Sequence, residues 1–349
     1  ILGDILLDTS LPAALAAEDE GVPILSLSRR DGVPEAGPWT FRLALTAKKQ
    51  ARALASLAVD GIGLKHFAIV YPKHEFGVEL MNEMWDELEK RKVEVTAVES
   101  YAHDQTTFTQ EAKSLVGRGM VYSSDVASCR RDAQQITNVY RRGKALDACK
   151  DLARPVIDFE ALFIPASYKS VSYFVPALVA EDVLLTKDRH VVENYRKTVQ
   201  GGEHVQPVQL LGVSMWNDPE LTKRFDKHEI DGAIFVDGFD VSSGEPRVQK
   251  FVQAFTAART GKPELVAAQS YDGASLLNAI LTGAQGPAPR NRDQMRNALQ
   301  STKDFPGVTG NVSFDAEGDS ATMPRFFQVD GDRIEAKDPA VLAKQESAG

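Results

Sequence analysis

The chain has 349 residues, more than one hydrophobic core usually supports, so two lobes are expected. It is 43% hydrophobic and 26% charged with a net charge of -9, an ordinary globular make-up and not that of a nucleic-acid binder, which carries a basic face. No apolar run approaches the ~18 residues of a membrane span, and no basic segment followed by an apolar one marks a signal peptide.

Strand-like and helix-like segments alternate along the chain, the pattern of an α/β fold. Residues 1–2 read as the end of a strand, 3–10 as a polar loop, and 12–20 as a helix with Ser10 as N-cap and Gly21 as its stop. Residues 22–27 form an apolar strand that ends in Ser28-Arg29-Arg30. Ala47, Ala51, Leu54, Leu57 and Ala58 repeat on one face of a helix over 46–59, closed by Gly61. The run HFAIVY at 66–71 is a buried type of strand. A helix over 78–92 follows, with Leu80, Met84 and Leu88 in one stripe. A strand over 93–101 and a helix over 107–116 come next.

Further strands fall at 161–165, 208–212 and 233–236, with a helix from the first of these to about residue 181. Helices are expected over 246–260, 263–283 and 290–301. The end of the chain reads as β-hairpins, with turns at Asp315-Ala-Glu-Gly318 and Asp330-Gly-Asp332. The Ala-rich tail beyond Pro339 is expected to fray. Two polar stretches, 117–154 and 186–206, break the rhythm and read as partly helical surface insertions.

Catalytic and metal-binding motifs are absent. Gly61-Ile-Gly63 lies between a helix and a strand and lacks a third glycine, and there is no P-loop, HExxH, GxSxG elbow or zinc spacing. The six histidines are scattered, no nucleophile–base–orienter set is suggested, and neither a cofactor nor a metal is called for. Cys129 and Cys149 fall in one Arg-rich segment. They are either two unrelated thiols or a local disulfide, which would need an oxidising compartment. What remains is a series of polar loops after strands, where open α/β sheets bind their ligands.

The ordered set GVPILSLS, GPWTFR, HFAIVYP, FEALFIPAS, LLGVSMWN, DGAIFVDGF, AAQSYDGASLL and GNVSFDAEGD, spread over residues 1 to about 337, resembles the type I periplasmic binding proteins. The likeness is to their leucine/isoleucine/valine-binding branch. The wording LSRRDG…GPWTFRLALT is similar to a subgroup called extracellular ligand-binding receptors or penicillin-binding protein activators. The resemblance implies two α/β lobes, each a mostly parallel sheet flanked by helices, joined by three crossovers and closing on a ligand by hinge motion. On this basis 1–45 and 241–311 form lobe 1, 46–240 and 312–337 form lobe 2, and 338–349 is a tail. Family members begin with two further βα units, on the order of 60–70 residues, so lobe 1 is expected to be N-terminally incomplete.

The family's amino-acid clamp is altered here. A serine, a backbone carbonyl, a threonine and an acidic group grip the ligand's carboxylate and ammonium in the amino-acid binders. Their positions fall on Leu7, on Ser28 or Arg29, on Arg30, and near Ser214. Asp8, Thr9, Ser28, Arg29, Arg30, Phe76, Ser167, Tyr168, Ser214 and Trp216 are therefore the candidate ligand-binding residues, and the arginines favour an anionic ligand. Surface, capping or core roles compete at each of them. Phe76 could be a hydrophobic staple, and Trp216 either a lid or core. Asp237, Phe239 and Arg42 read as structural.

The resemblance implies a non-enzymatic receptor for an amino acid or small carboxylate, serving an ABC permease. The alternative is an envelope regulator acting on a peptidoglycan synthase. Either implies the periplasm or cell envelope, with a lipid anchor on the missing N-terminus as one form.

Overall fold

The computed structural model describes residues 1–118, 123–151, 155–198, 205–225 and 228–347. They fall into two compact units, Ile1–Ala53 with Val236–Arg325, and Leu54–Phe235 with Phe326–Gly349. The architecture is mixed α/β with a mostly parallel main sheet and flanking helices.

The first unit is built on short parallel strands. β1 (Ile24–Ser26) pairs with β2 (Thr40–Arg42) in the register Ile24↔Thr40 and Ser26↔Arg42. Leu2 bridges to Leu25 on one side and Arg42 to Asp319 on the other, both parallel. All six residues of β1 and β2 are buried, as expected of parallel strands covered on both faces. The helices are α1 (Leu7–Asp19), the start of α2 (Ala47–Ala55), α10 (Pro246–Ala258), α11 (Leu265–Leu281) and α12 (Arg292–Gln300). Leu25, Leu27 and Phe41 meet Leu276, Ile280 and Leu299 in the core, and Phe41 meets Phe314 edge-on at 5.2 Å. A small antiparallel pair, β8 (Phe305–Pro306) and β9 (Asn311–Val312), closes over Gly307 and Gly310.

The second unit carries a seven-stranded sheet. Its strands are β3 (His66–Pro72), β4 (Glu94–Tyr101), β5 (Ala161–Ile164), β6 (Gln209–Gly212), β7 (Ile234–Asp237), β10 (Arg325–Asp330) and β11 (Arg333–Lys337). The spatial order is β4-β3-β5-β6-β7-β10-β11. The first five run parallel. β10 and β11 form an antiparallel hairpin turning at Gly331, whose φ of 58° suits glycine. β5, β6 and β7 are buried at every residue, which is why they read as largely apolar runs, with only Gln209 and Asp237 polar. The edge strand β4 is only partly covered. Around the sheet lie α3 (Glu75–Lys90), α4 (Thr109–Leu115), α7 (Tyr168–Val179), α8 (Arg189–Thr198), the short α9 (Glu220–Lys223) and α13 (Pro339–Ser347). The expected stripe Leu80, Met84, Leu88 is fully buried.

The segment expected as an insertion at 117–154 holds α5 (Ser123–Gln134) and α6 (Val139–Asp151), which pack on each other. A disulfide joins Cys129 to Cys149 across them, with Cα atoms 5.7 Å apart. Within the second stretch, 186–206, lies α8.

Four expectations need correction. First, α1 starts at Leu7, so Ser10 is not its cap. The Ser10 hydroxyl donates back to the Leu7 carbonyl at 3.0 Å, and Pro12 sits inside the helix. Pro12 is the sixth residue of the helix, so it gives up the bond that an amide there would donate to the Asp8 carbonyl. Second, the helix begun by α2 does not stop at Gly61. It widens into π-type turns over Ser56–Ile62 and ends at Gly63, whose φ of 93° provides the left-handed cap. Third, the tail is not frayed over 339–347. Leu342 is fully buried and α13 packs along the 56–62 turns. Fourth, the chain passes between units after Ala53, Phe235 and Arg325 instead of near 45, 240 and 310. Residues 312–325 therefore belong with the first unit. Phe314 packs there on Phe41, and the Arg42 amide donates to the Gly318 carbonyl at 2.9 Å.

Candidate functional site

In parallel sheets the loops leaving strand C-termini gather at one edge, and ligand-binding groups collect there. In the first unit these loops are residues 3–6, before α1, and residues 27–33, after β1. The Ser28 amide donates to Ser26 Oγ at 3.1 Å, and Ser28 Oγ accepts from the Arg30 amide at 3.3 Å. Ser28 is fully buried, so its hydroxyl braces the loop. Arg30 Nη1 donates to the Leu7 carbonyl at 2.9 Å, tying the loop to the first turn of α1. Arg42 Nη1 donates to the Arg30 carbonyl at 2.7 Å, which gives Arg42 the bracing role expected of it.

Asp8 and Thr9 are exposed in the first turn of α1, and no side chain caps that end. Arg29 is partly exposed on the loop beside it. Sequence reasoning passed over Asp4, which lies in the same cluster and accepts from Ser26 Oγ at 3.5 Å. Burial raises the Asp4 carboxyl above its ordinary range, against the hydrogen bonds it receives.

In the second unit the candidates stand at the C-terminal ends of three adjacent strands, β3, β5 and β6. After β3, His74 caps α3: its Nδ1 accepts from the Gly77 amide at 3.1 Å. Phe76 follows in the first turn and is buried. After β5, Ser167 caps α7 through Oγ, which accepts from the Ser170 amide at 3.4 Å, and Tyr168 is partly exposed beside it. After β6, Ser214 opens a short 3₁₀ turn and is partly exposed.

Trp216, in the same turn, is a correction. It is fully buried, with its ring 6.3 Å from that of Phe235, and has no surface to offer a ligand. Gly212 explains why: a Cβ there would clash with the indole, so the strand leaves space into which the Trp folds back. Asp237 and Phe239 are structural, as expected. Asp237 Oδ1 accepts from the Gly238 amide at 2.7 Å, and Phe239 packs edge-on against Phe251.

The His74–His103 pair was also missed from the sequence. The two rings meet edge-to-face at 4.6 Å just beyond β3 and β4. Burial, and then the neighbouring imidazole, lower the His74 pKa, which keeps Nδ1 available as a cap acceptor. Only the 29-residue separation of two scattered histidines hinted at it, and that has no periodic signal.

Two family models match the chain. The one described as "Receptor family ligand binding region" covers residues 7–126, and "Periplasmic binding protein" covers residues 198–333. The chain belongs to the type I periplasmic binding protein family. Solved structures share the fold at low identity. A Rhodospirillum rubrum protein described as a branched-chain amino acid ABC transporter is 20% identical, with a TM-score of 0.69 over 96% of this chain and 79% of its own. A leucine-binding protein from Thermotoga maritima is 16% identical, with a TM-score of 0.61 over 97% and 78%. A solute-binding protein from R. palustris, solved with benzoate, is 16% identical, with a TM-score of 0.60 over 96% and 75%. No curated protein sequence matches. For a member of this periplasmic binding protein family, the strand-end loops are the natural place to look for ligand contacts. No described helix is long and apolar enough to cross a membrane.

Proposed function

We propose that the chain is the extracytoplasmic solute-binding receptor of an ABC-type importer and that its ligand is an amino acid or, with better support, a small carboxylate. The observation that carries the carboxylate is the first turn of α1. It has no side-chain cap, and Arg30 is fixed to it with Arg29 beside it. An uncapped helix start presents backbone N–H groups and a partial positive charge, and guanidinium groups add forked donors for a carboxylate. The residues that would receive an ammonium group in the amino-acid binders are replaced, with Ser214 where the acid stands. In the first unit Asp8 and Thr9 are exposed polar groups in that same first turn of α1; in the second, Ser167, Tyr168 and Ser214 are partly exposed polar groups at strand ends. The family gives no reason to expect catalysis. The Cys129–Cys149 disulfide supports an oxidising, extracytoplasmic compartment.

The test is a thermal-shift screen followed by calorimetry, using benzoate, 4-hydroxybenzoate, short aliphatic carboxylates and branched-chain amino acids. A carboxylate at 100 times its Kd stabilises by about 2.7 kcal/mol. Arg29→Glu should weaken that carboxylate at least tenfold, measured on variant protein shown by circular dichroism to be folded. Absence of any shift across the panel, or a carboxylate affinity indifferent to Arg29→Glu, sinks the reading.

A second reading, an envelope regulator that docks on a peptidoglycan synthase, is favoured by one feature. At the start of α6, Val139 and Tyr140 are 73% and 71% exposed, beside Arg141 and Arg142. Capture of a synthase by the wild-type chain, lost in Val139→Ser/Tyr140→Ser, would favour it over transport.

A further inference from the structure

Asp188, His228 and Asp231 come together in the second unit, before the N-terminal end of β7. His228 Nδ1 lies 2.7 Å from Asp231 Oδ2 and 3.7 Å from Asp188 Oδ2. The three ligand-type atoms all fall within 4.8 Å of one another, the one such grouping among the described residues. We propose that these residues form a binding site for a divalent transition-metal ion of the zinc class.

The spacing suits that ion. Two ligands held 2.0–2.1 Å from a tetrahedral zinc lie about 3.4 Å apart, between the two distances observed. The carboxylates are aimed beforehand. Asp188 Oδ1 accepts from the Val191 amide at 2.9 Å, and Asp231 Oδ1 from the Gly331 amide at 2.9 Å. Each aspartate thus has one oxygen fixed by backbone and turns the other toward the imidazole. Outer contacts of this kind orient metal ligands. Without the ion the 2.7 Å contact is a hydrogen bond from His228 Nδ1–H to Asp231 Oδ2; the ion would take the place of that proton, with the ring's remaining proton on Nε2.

Two carboxylates neutralise a doubly charged ion, and the imidazole nitrogen favours zinc, nickel or copper over magnesium and calcium, which take oxygen ligands. The His228 side chain is 51% exposed, against 23% for Asp188 and 12% for Asp231. Water can therefore complete the coordination. The three ligands belong to the start of α8 and the turn before β7, and the Gly331 amide adds the β10–β11 turn. A bound ion would fasten these three together. The residues are 40 and 3 positions apart, a spacing that matches no zinc motif.

Calorimetry of the full chain with zinc chloride tests this, with magnesium and calcium chloride as controls. One site should saturate with zinc and raise the melting point, and neither control ion should do so. His228→Ala and Asp188→Asn should each weaken zinc about tenfold or more. Both variants are expected to fold, since His228 is half exposed and asparagine caps a helix as aspartate does. The double variant His74→Ala/His103→Ala should leave the isotherm unchanged. Zinc binding that survives His228→Ala, that vanishes in the His74/His103 variant, or that is missing at millimolar zinc overturns the proposal.

Discussion

Arg42 and Asp319, far apart in the chain, meet in a two-point ion pair. Nε donates to Oδ1 at 3.1 Å and Nη2 to Oδ2 at 2.8 Å, with side chains only 6% and 18% exposed. Lys49 Nζ adds a third contact at 3.1 Å. Removing Asp319 leaves two cations in a covered site, whereas removing Arg42 leaves Lys49 still paired. Asp319→Ala should therefore cost about 3–5 kcal/mol and Arg42→Ala about 2–3 kcal/mol, read from urea unfolding. Equal costs, or the reverse order, would contradict the geometry. Burial pushes the Asp319 carboxyl up, but the Arg42 bond and the charges of Lys49 and Arg42 outweigh it and hold its pKa below the ordinary value. Its stabilising effect is thus complete above pH of about 4 and is lost as pH falls through the depressed value. Asp319→Asn should flatten that part of the acid-unfolding curve.

His74 acts in the opposite half of the titration scheme. Its pKa is lowered, so the unfolded chain takes up a proton first as pH falls below about 6.5. Stability should decline from there through the folded pKa, because protonated Nδ1 can no longer accept from Gly77. His74→Asn keeps a capping side chain without titrating. Melting points measured between pH 7 and 5 should fall less in this variant than in wild type.

Trp216 separates core from ligand roles. Trp216→Ala should cost about 3–5 kcal/mol. The indole Nε1 has no hydrogen-bond partner among the described residues, so Trp216→Phe trades lost volume against relief of an unpaired donor, with a net change of about 1 kcal/mol or less. Gly212→Ala should be strongly destabilising because it drives a methyl into the ring. Chemical denaturation of the three variants gives the order directly, and equal losses for Ala and Phe would refute it.

The Cys129–Cys149 bridge closes a loop of 20 residues, a constraint of about 3 kcal/mol. α5 and α6 pack chiefly on each other, so the loss should stay local. In Cys129→Ala/Cys149→Ala, hydrogen exchange should quicken in α5 and α6 and leave β5, β6 and β7 protected. Faster exchange throughout the sheet would mean that the hairpin supports the core.

Much of this fold can be read from the residues, for a definite reason. β3, β5, β6 and β7 are buried on both faces and so appear as apolar runs, and α3 shows its stripe because only one side is covered. The failures are contacts between distant segments. Nothing near Leu342 announces that the 56–62 turns will cover it, and Pro12 reads like a first helical residue when it is not. The binding loops were placed at strand ends, but the tasks within them were less visible. Ser28 and Trp216 proved to be internal, because a serine that braces a loop and one that faces a ligand look the same in sequence.

Because the chain passes between units three times, neither unit is a continuous stretch of polypeptide. Phe41 leaves the ribosome long before its partner Phe314, and at ordinary rates of synthesis the intervening chain takes roughly 15–55 s. Throughout that interval Leu25, Leu27 and Phe41 have no completed core to enter. The first unit begins first and finishes late, so the newborn chain depends on whatever shields its leading apolar strands until residue 314 arrives.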